Sequence, residues 1–238
     1  MKKVRVLSID GGGIRGVIPA TVIAYVEQKI KTITKNPDAH IADYFDLIAG
    51  TSTGGLLTGF YLAPGSTQNN NAPAAKYTAE EALDFYVKNG YKIFNASKRS
   101  SWLGLRQLFN AAQFSPVAME SALKELFGEL KMNDLIKPCL ITTYDMARKA
   151  SYFFNNSVPH LDSTQDFYVR DVLRSTSAAP TYFPPAQITN LATQEKMINI
   201  DGGVFANNPT MCAYALCGDS EFEQVNYPKA ENLLIMSI

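Results

Sequence analysis

The chain has 238 residues, a length one α/β domain commonly occupies, and 46% hydrophobic against 18% charged residues exclude an intrinsically disordered protein. Lys plus Arg and Asp plus Glu each number 22, so at a net charge of +0 no general field draws a polyanion, and a dedicated nucleic-acid binder is disfavoured. Three cysteines, Cys139, Cys212 and Cys217, with neither a CxxC pair nor a His-rich tract, argue against a disulfide framework and a structural zinc and for a reducing, cytoplasmic compartment.

Val4 to Ile9 is a β-branched run that reads as a first strand. Lys2 and Lys3 before it imitate the start of a signal peptide, but Asp10 and Arg15 interrupt any apolar core of one. After Asp10-Gly11-Gly12-Gly13, apolar residues at 17, 18, 22, 23, 26 and 30 follow helical spacing until Asn36-Pro37. Tyr44 to Ala49 reads as a second strand, which runs into Gly50-Thr51-Ser52-Thr53-Gly54-Gly55 and an apolar helix from Leu56 to Leu62. The strand, glycine turn and helix therefore occur twice.

Residues 64–77, rich in Pro, Asn and Ser, read as a surface excursion from one domain spanning 1–238, and Thr78 with Glu80 and Glu81 reads as the start of a helix. Residues 89–119 carry Lys92, Lys98, Arg99 and Arg106 and no acid, interspersed with Phe94, Trp102, Leu103, Leu105, Leu108 and Phe109. That mixture suits a cap segment, either an ordinary amphipathic cap whose apolar residues pack on the sheet or an interfacial one in peripheral contact with a membrane. Strands are expected at 138–143, 151–154, 197–200 and 233–238, and a helix at 169–177. Strands alternating with helices imply a three-layer α/β sandwich, its mostly parallel central sheet covered by helices on both faces. No stretch approaches the roughly 18 apolar residues of a membrane span. The chain stops inside an apolar strand pattern, so a C-terminal truncation is expected.

Gly50-x-Ser52-x-Gly54 fits a nucleophile elbow, in which small flanking residues permit a strained turn that lifts a serine Oγ above the sheet. A chance match is expected about 0.08 times in such a chain, and this one also follows a strand and opens a helix. Gly11-x-Gly13-x-x-Gly16 matches a dinucleotide fingerprint, which leaves open a non-catalytic nucleotide-binding module. That reading requires an acid at the end of the second strand, where the glycine elbow stands instead. The other use of three glycines is an oxyanion hole of backbone N–H groups, helped by Arg15. The only histidines, His40 and His160, lie in expected loops, so a Ser-His-Asp triad is disfavoured, though a conventional serine esterase or peptidase would need one. Asp201, followed by Gly202 and Gly203 after a strand, is the candidate base; a surface turn aspartate is the alternative.

DGGGIRG, GTSTGG and DGGVFANNP, with the segment SAAPTYFPP from Ser177 to Pro185, resemble the patatin-like phospholipase family in order and placement. The resemblance implies a patatin-like fold and hydrolysis of phospholipid or other acyl-lipid esters without metal or cofactor. It implies Ser52 as nucleophile and Asp201 as its partner in a dyad, with Gly11, Gly12, Gly13 and Arg15 forming the oxyanion hole. Gly50, Gly54, Gly202 and Gly203 would support the two motifs.

Overall fold

The computed structural model describes residues 2–67, 73–94, 115–157 and 163–238. In chain order the elements are β1 (Val4–Ile9), α1 (Val17–Thr34), β2 (Leu47–Gly50), α2 (Thr53–Leu62), β3 (Pro64–Thr67), β4 (Pro73–Ala75), α3 (Ala79–Phe94) and α4 (Val117–Phe127). They continue with β5 (Cys139–Asp145), β6 (Ala150–Asn155), α5 (Val169–Thr176), β7 (Ala186–Thr189), β8 (Lys196–Asp201), α6 (Gly203–Ala206), α7 (Thr210–Gly218) and β9 (Leu233–Ser237).

The central sheet has the order β7-β8-β5-β2-β1-β9, with β6 also paired to β5. β9, β1, β2 and β5 pair in parallel; β8 is antiparallel to β5, β7 to β8 and β6 to β5. Five strands thus share one direction and the sheet is mostly parallel, while β6 and β8 oppose it.

Strand alternation divides the core between the two faces. Leu7, Ile9, Ile48, Cys139 and Ile141 point into a cluster completed by side chains of α1 to α5. Val4, Val6, Leu47, Ala49 and Leu140 point the other way, onto Ala213 and Cys217 of α7. Helices therefore cover both faces, as the alternation of expected elements implies.

Local differences from the sequence expectation have visible causes. The second strand begins at Leu47, because the preceding residues 41–44 form a 3-10 turn capped by Asp43, which accepts from His40 N at 2.8 Å. Asp46 is then occupied by Arg5, accepting its backbone N–H at 2.8 Å and its Nη2 at 3.0 Å. The helix after the elbow starts at Thr53, three residues earlier than expected. Residues 64–77 include β3 and β4, which form an antiparallel ribbon. Thr78 begins α3 as expected: its backbone N–H donates to Glu81 at 2.8 Å, and Glu81 N donates to its Oγ1 at 3.2 Å. The elements α4, β7 and α7 have no counterpart in the expected set. Of the cap segment at 89–119, residues 95–114 lie outside the described residues, and with them Lys98, Arg99, Trp102, Leu103, Leu105, Arg106, Leu108 and Phe109.

Candidate active site

One edge of β5 is shared by two strands that run toward each other. β2 climbs that edge and ends with Gly50 opposite Ile141; β8 descends it and ends with Asp201 opposite Thr143. Two residues of strand separate the two stopping points, about 7 Å. The chain leaving β2 turns into Ser52 and α2, and the chain leaving β8 turns into Gly202 and α6. The residues after both strand ends therefore meet.

At the β2 end the turn is strained. Ser52 has φ 55° and ψ −120°, on the positive-φ side of the map where a side chain is costly. A Cβ on Gly50 would stand 2.2 Å from Gly54 O, and one on Gly54 would stand 2.1 Å from Ile9 O, so neither position tolerates any other residue. The strain is held by hydrogen bonds on either side of Ser52: its N–H donates to Thr176 Oγ1 at 2.8 Å and its carbonyl accepts from Leu56 N at 3.0 Å. Ser52 is 7% exposed.

At the β8 end Asp201 is 5% exposed. Its N–H donates to Ala178 O at 3.0 Å, and its Oδ1 accepts from Gly203 N at 2.7 Å. Burial pushes its carboxyl up to about 6, opposed by hydrogen bonds from the Ser52 hydroxyl and the Gly203 N–H. Thr51 Oγ1 donates to Ala206 O at 2.7 Å and has one hydrogen to give, so at 2.7 Å it accepts from Thr142 Oγ1. Gly202 packs on that same threonine; a Cβ there would stand 2.0 Å from Thr142 Oγ1. Thr51, Thr142 and the loop after Asp201 are thereby fastened together.

The glycine loop after β1 lies against the same place. A Cβ on Gly11 would stand 3.2 Å from Ser52 Cβ, so the loop backbone passes directly beside the serine. Asn207 grips Gly11 at both of its polar groups: Gly11 N donates to Asn207 O at 2.9 Å and Asn207 Nδ2 donates to Gly11 O at 3.1 Å. This corrects the expected donor set, because the Gly11 N–H is already spent. Among the described residues the N–H groups of Gly12 and Gly13 have no partner, and Gly13 adopts φ +58°. Arg15 also differs from expectation. It is exposed, and its backbone N–H and Nε both donate to Gly12 O, at 3.1 and 3.4 Å. It braces the back of the loop.

His40 does not join this cluster. His40 stands before β2 while Ser52 follows it, with a strand of about 13 Å between; His160 lies outside the described residues. Among the described residues no group of three or more His, Cys, Asp or Glu could hold a metal ion, and no helix is long and apolar enough to cross a membrane. The strand next to β1 ends in Gly50, with Thr51 N donating to Ile9 O at 3.2 Å, so the acid that a dinucleotide ribose needs is absent from that position. Thr176 and Asn207 are the site residues that motif reading missed. Thr176 is an ordinary helix-end threonine in sequence, while Asn207 follows six residues after Asp201 in a run of two asparagines that alone gives no hint of a partner at Gly11.

A model of the patatin-like phospholipase family matches residues 7–214. Patatin-like protein 2 of Oryza sativa subsp. indica is 37% identical over 222 residues, covering 90% of this chain and 52% of its own length. Patatin-like protein 3 of Arabidopsis thaliana is 34% identical over 223 residues, covering 89% and 51%. "Probable inactive patatin-like protein 9" of Arabidopsis thaliana is 31% identical over 243 residues, covering 100% and 60%. The chain spans about half the length of the curated relatives it matches first. Among solved structures, VipD from Legionella pneumophila covers 98% of this chain and 49% of its own, at 13% identity and a TM-score of 0.49. With the family match running from within β1 to the middle of α7, the chain belongs to the patatin-like phospholipase family.

Proposed function

We propose that the chain is a lipid acyl hydrolase working through a Ser52–Asp201 dyad and an acyl-enzyme. The observation that carries this reading is the convergence of the β2 and β8 ends on one edge of β5, which brings Ser52 to a buried carboxyl that desolvation pushes up to about 6. A free aspartate, near 3.9, is a weak base for a hydroxyl, and desolvation moves Asp201 toward the pH at which a general base works best.

In this mechanism Asp201 takes the Ser52 proton as Oγ bonds to the acyl carbonyl carbon. The carbonyl oxygen, now negative, lies against the N–H groups of Gly12 and Gly13 at the entry to α1, where the helix dipole adds positive potential. Asp201 then gives its proton to the leaving alkoxide oxygen as the ester C–O bond breaks. A water enters, loses a proton to Asp201 and attacks the acyl-enzyme, and Ser52 departs with that proton. Phospholipids and related acyl lipids are the substrates the family membership favours.

One relative carries the word inactive in its name, so the deciding experiment reads chemistry at the serine. A fluorophosphonate probe should label Ser52 in the wild type and leave Ser52→Ala unlabelled, with Asp201→Asn slowing labelling steeply. Tight NAD or FAD binding by an unlabelled protein would overturn the reading in favour of a nucleotide-binding module.

A further inference from the structure

α1 is apolar on two opposite sides. Ala20 and Ile23, with Glu27, are buried toward the core. Facing away from it, Ile18, Val22, Tyr25 and Ile33 are exposed, Ile18 at 60%, Tyr25 at 58% and Ile33 at 78%. At 100° per residue those four fall within an arc of about 80°. Ile14, also exposed, stands in the 3-10 turn before the helix and extends the line toward Gly13. Single apolar residues on a surface are ordinary, but a stripe of four running about 23 Å along one helix, with a fifth just before it, is not.

The charge on this element is one-sided although the protein is neutral overall. From Ile14 to Lys35 the cations are Arg15, Lys29, Lys31 and Lys35, and Glu27 is the only acid. Glu27 is buried and fully engaged, accepting from Ile41 N at 2.9 Å and Ala79 N at 3.2 Å and pairing with Lys31 at 3.1 Å. Lys29 Nζ lies 5.2 Å above the centre of the Tyr25 ring, inside the apolar stripe.

We propose that this face of α1 is the surface on which the chain docks to an anionic lipid bilayer. Aliphatic side chains entering the acyl boundary, lysines meeting anionic head groups and a tyrosine at the level between them are the chemistry of an interfacial helix. A second copy of the chain fits worse, because a two-fold contact would set this cationic face against itself. The N-terminal end of the helix carries the Gly12–Gly13 loop beside Ser52, so docking along α1 brings the bilayer to the candidate site. The benefit to catalysis rests on the acyl-hydrolase reading; the docking itself does not, and the two are measured separately.

The test is flotation of the 238-residue chain with vesicles of phosphatidylcholine containing phosphatidylglycerol, and with pure phosphatidylcholine. Wild type should float with the anionic vesicles and much less with the neutral ones. Ile18→Ser with Val22→Ser and Tyr25→Ser should lower the partition coefficient at least about tenfold. Lys29→Glu with Lys35→Glu should lower it roughly 30-fold or more, at about fivefold per lysine lost near an anionic surface. All variants should keep wild-type thermal midpoints and wild-type hydrolysis of a short soluble ester. Equal flotation of wild type and both variants, or no flotation of wild type, overturns the docking surface. So does a wild-type dimer in light scattering that the serine variant converts to monomer, which would assign the stripe to a second copy. Loss of soluble-ester hydrolysis by Ser52→Ala without change in flotation leaves docking standing, and a wild type that floats yet hydrolyses nothing refutes only the acyl-hydrolase reading.

Discussion

The two halves of the sheet reach β5 by different routes. On one side β9, β1 and β2 lie parallel, and β1 and β2 are each followed by a glycine turn and a helix, so both turns emerge at the same end of the sheet. On the other side β7 and β8 form an antiparallel pair, and β8 comes down the β5 edge from the opposite direction. Parallel strands alone would place a second functional residue beside Ser52 only by way of another βα turn. An opposing strand that stops two residues short of β2 delivers Asp201 end-on, out of solvent, with Gly203 N–H fixing one carboxylate oxygen.

The largest expected effect comes from breaking either side of that meeting. Ser52→Ala and Asp201→Asn should each lower kcat for a p-nitrophenyl acyl ester by at least about 10⁴-fold, and the double variant should be no worse, because the two act as one unit. An Asp201→Asn chain with near wild-type turnover would dissolve the dyad and leave β8 a purely structural strand.

The buried position of Asp201 has a second consequence that titration can read. As a base it works ionised, so kcat/KM should fall about tenfold per pH unit below about 6 and level off above it. Stability should move the other way. The folded carboxyl binds its proton up to about 6 while the unfolded one releases it near 3.8, so between those values the unfolded chain holds fewer protons and stability falls as pH rises. Asp201→Asn, which has no charge to bury, should therefore be more stable than wild type by about 3 kcal/mol above pH 6, with the difference gone below about pH 4. Urea midpoints of the two proteins across that range would show it; parallel curves would mean the carboxyl is not desolvated in solution.

A smaller loss should follow from loosening only the parallel side. Thr176→Val keeps the shape of the side chain but leaves the Ser52 N–H without its acceptor in a buried place, at a cost of about 1–3 kcal/mol. If the strained turn depends on that bond, kcat should fall roughly 10- to 100-fold with KM unchanged, and Thr176→Ser should restore it. An equal loss in both variants would assign Thr176 to packing against Gly55 instead.

The smallest effects belong to groups outside the meeting point. His40→Ala should leave turnover within about twofold, since His40 sits at the far end of β2. Treatment with EDTA should also leave soluble-ester hydrolysis unchanged, because in the proposed mechanism the glycine N–H groups supply the electrophile. A large fall in either measurement would require a base or a metal that the described residues do not bring to Ser52.

Much of this was legible in the chain itself. The β-branched run before Gly11, the alternating core residues of β2 and the glycines at 50 and 54 are local signals, since strand propensity, side-chain period and turn sterics act over a few residues. They suffice to place Ser52 on an elbow and Gly11–Gly13 on a loop into a helix. The short β7, with Ala186 and Ile188 inward, and α7, apolar on nearly every side, carry no comparable local period, and both take their form from what they pack against. Which N–H groups of the glycine loop stay free was likewise beyond local reading, because Asn207, nearly two hundred positions away, decides it by taking Gly11. The nearness of Asp201 to Ser52, its desolvation and the support of Thr176 exist only once β2 and β8 stop on the same edge of β5; strand register is a long-range hydrogen-bond pattern, and no short window of sequence contains it.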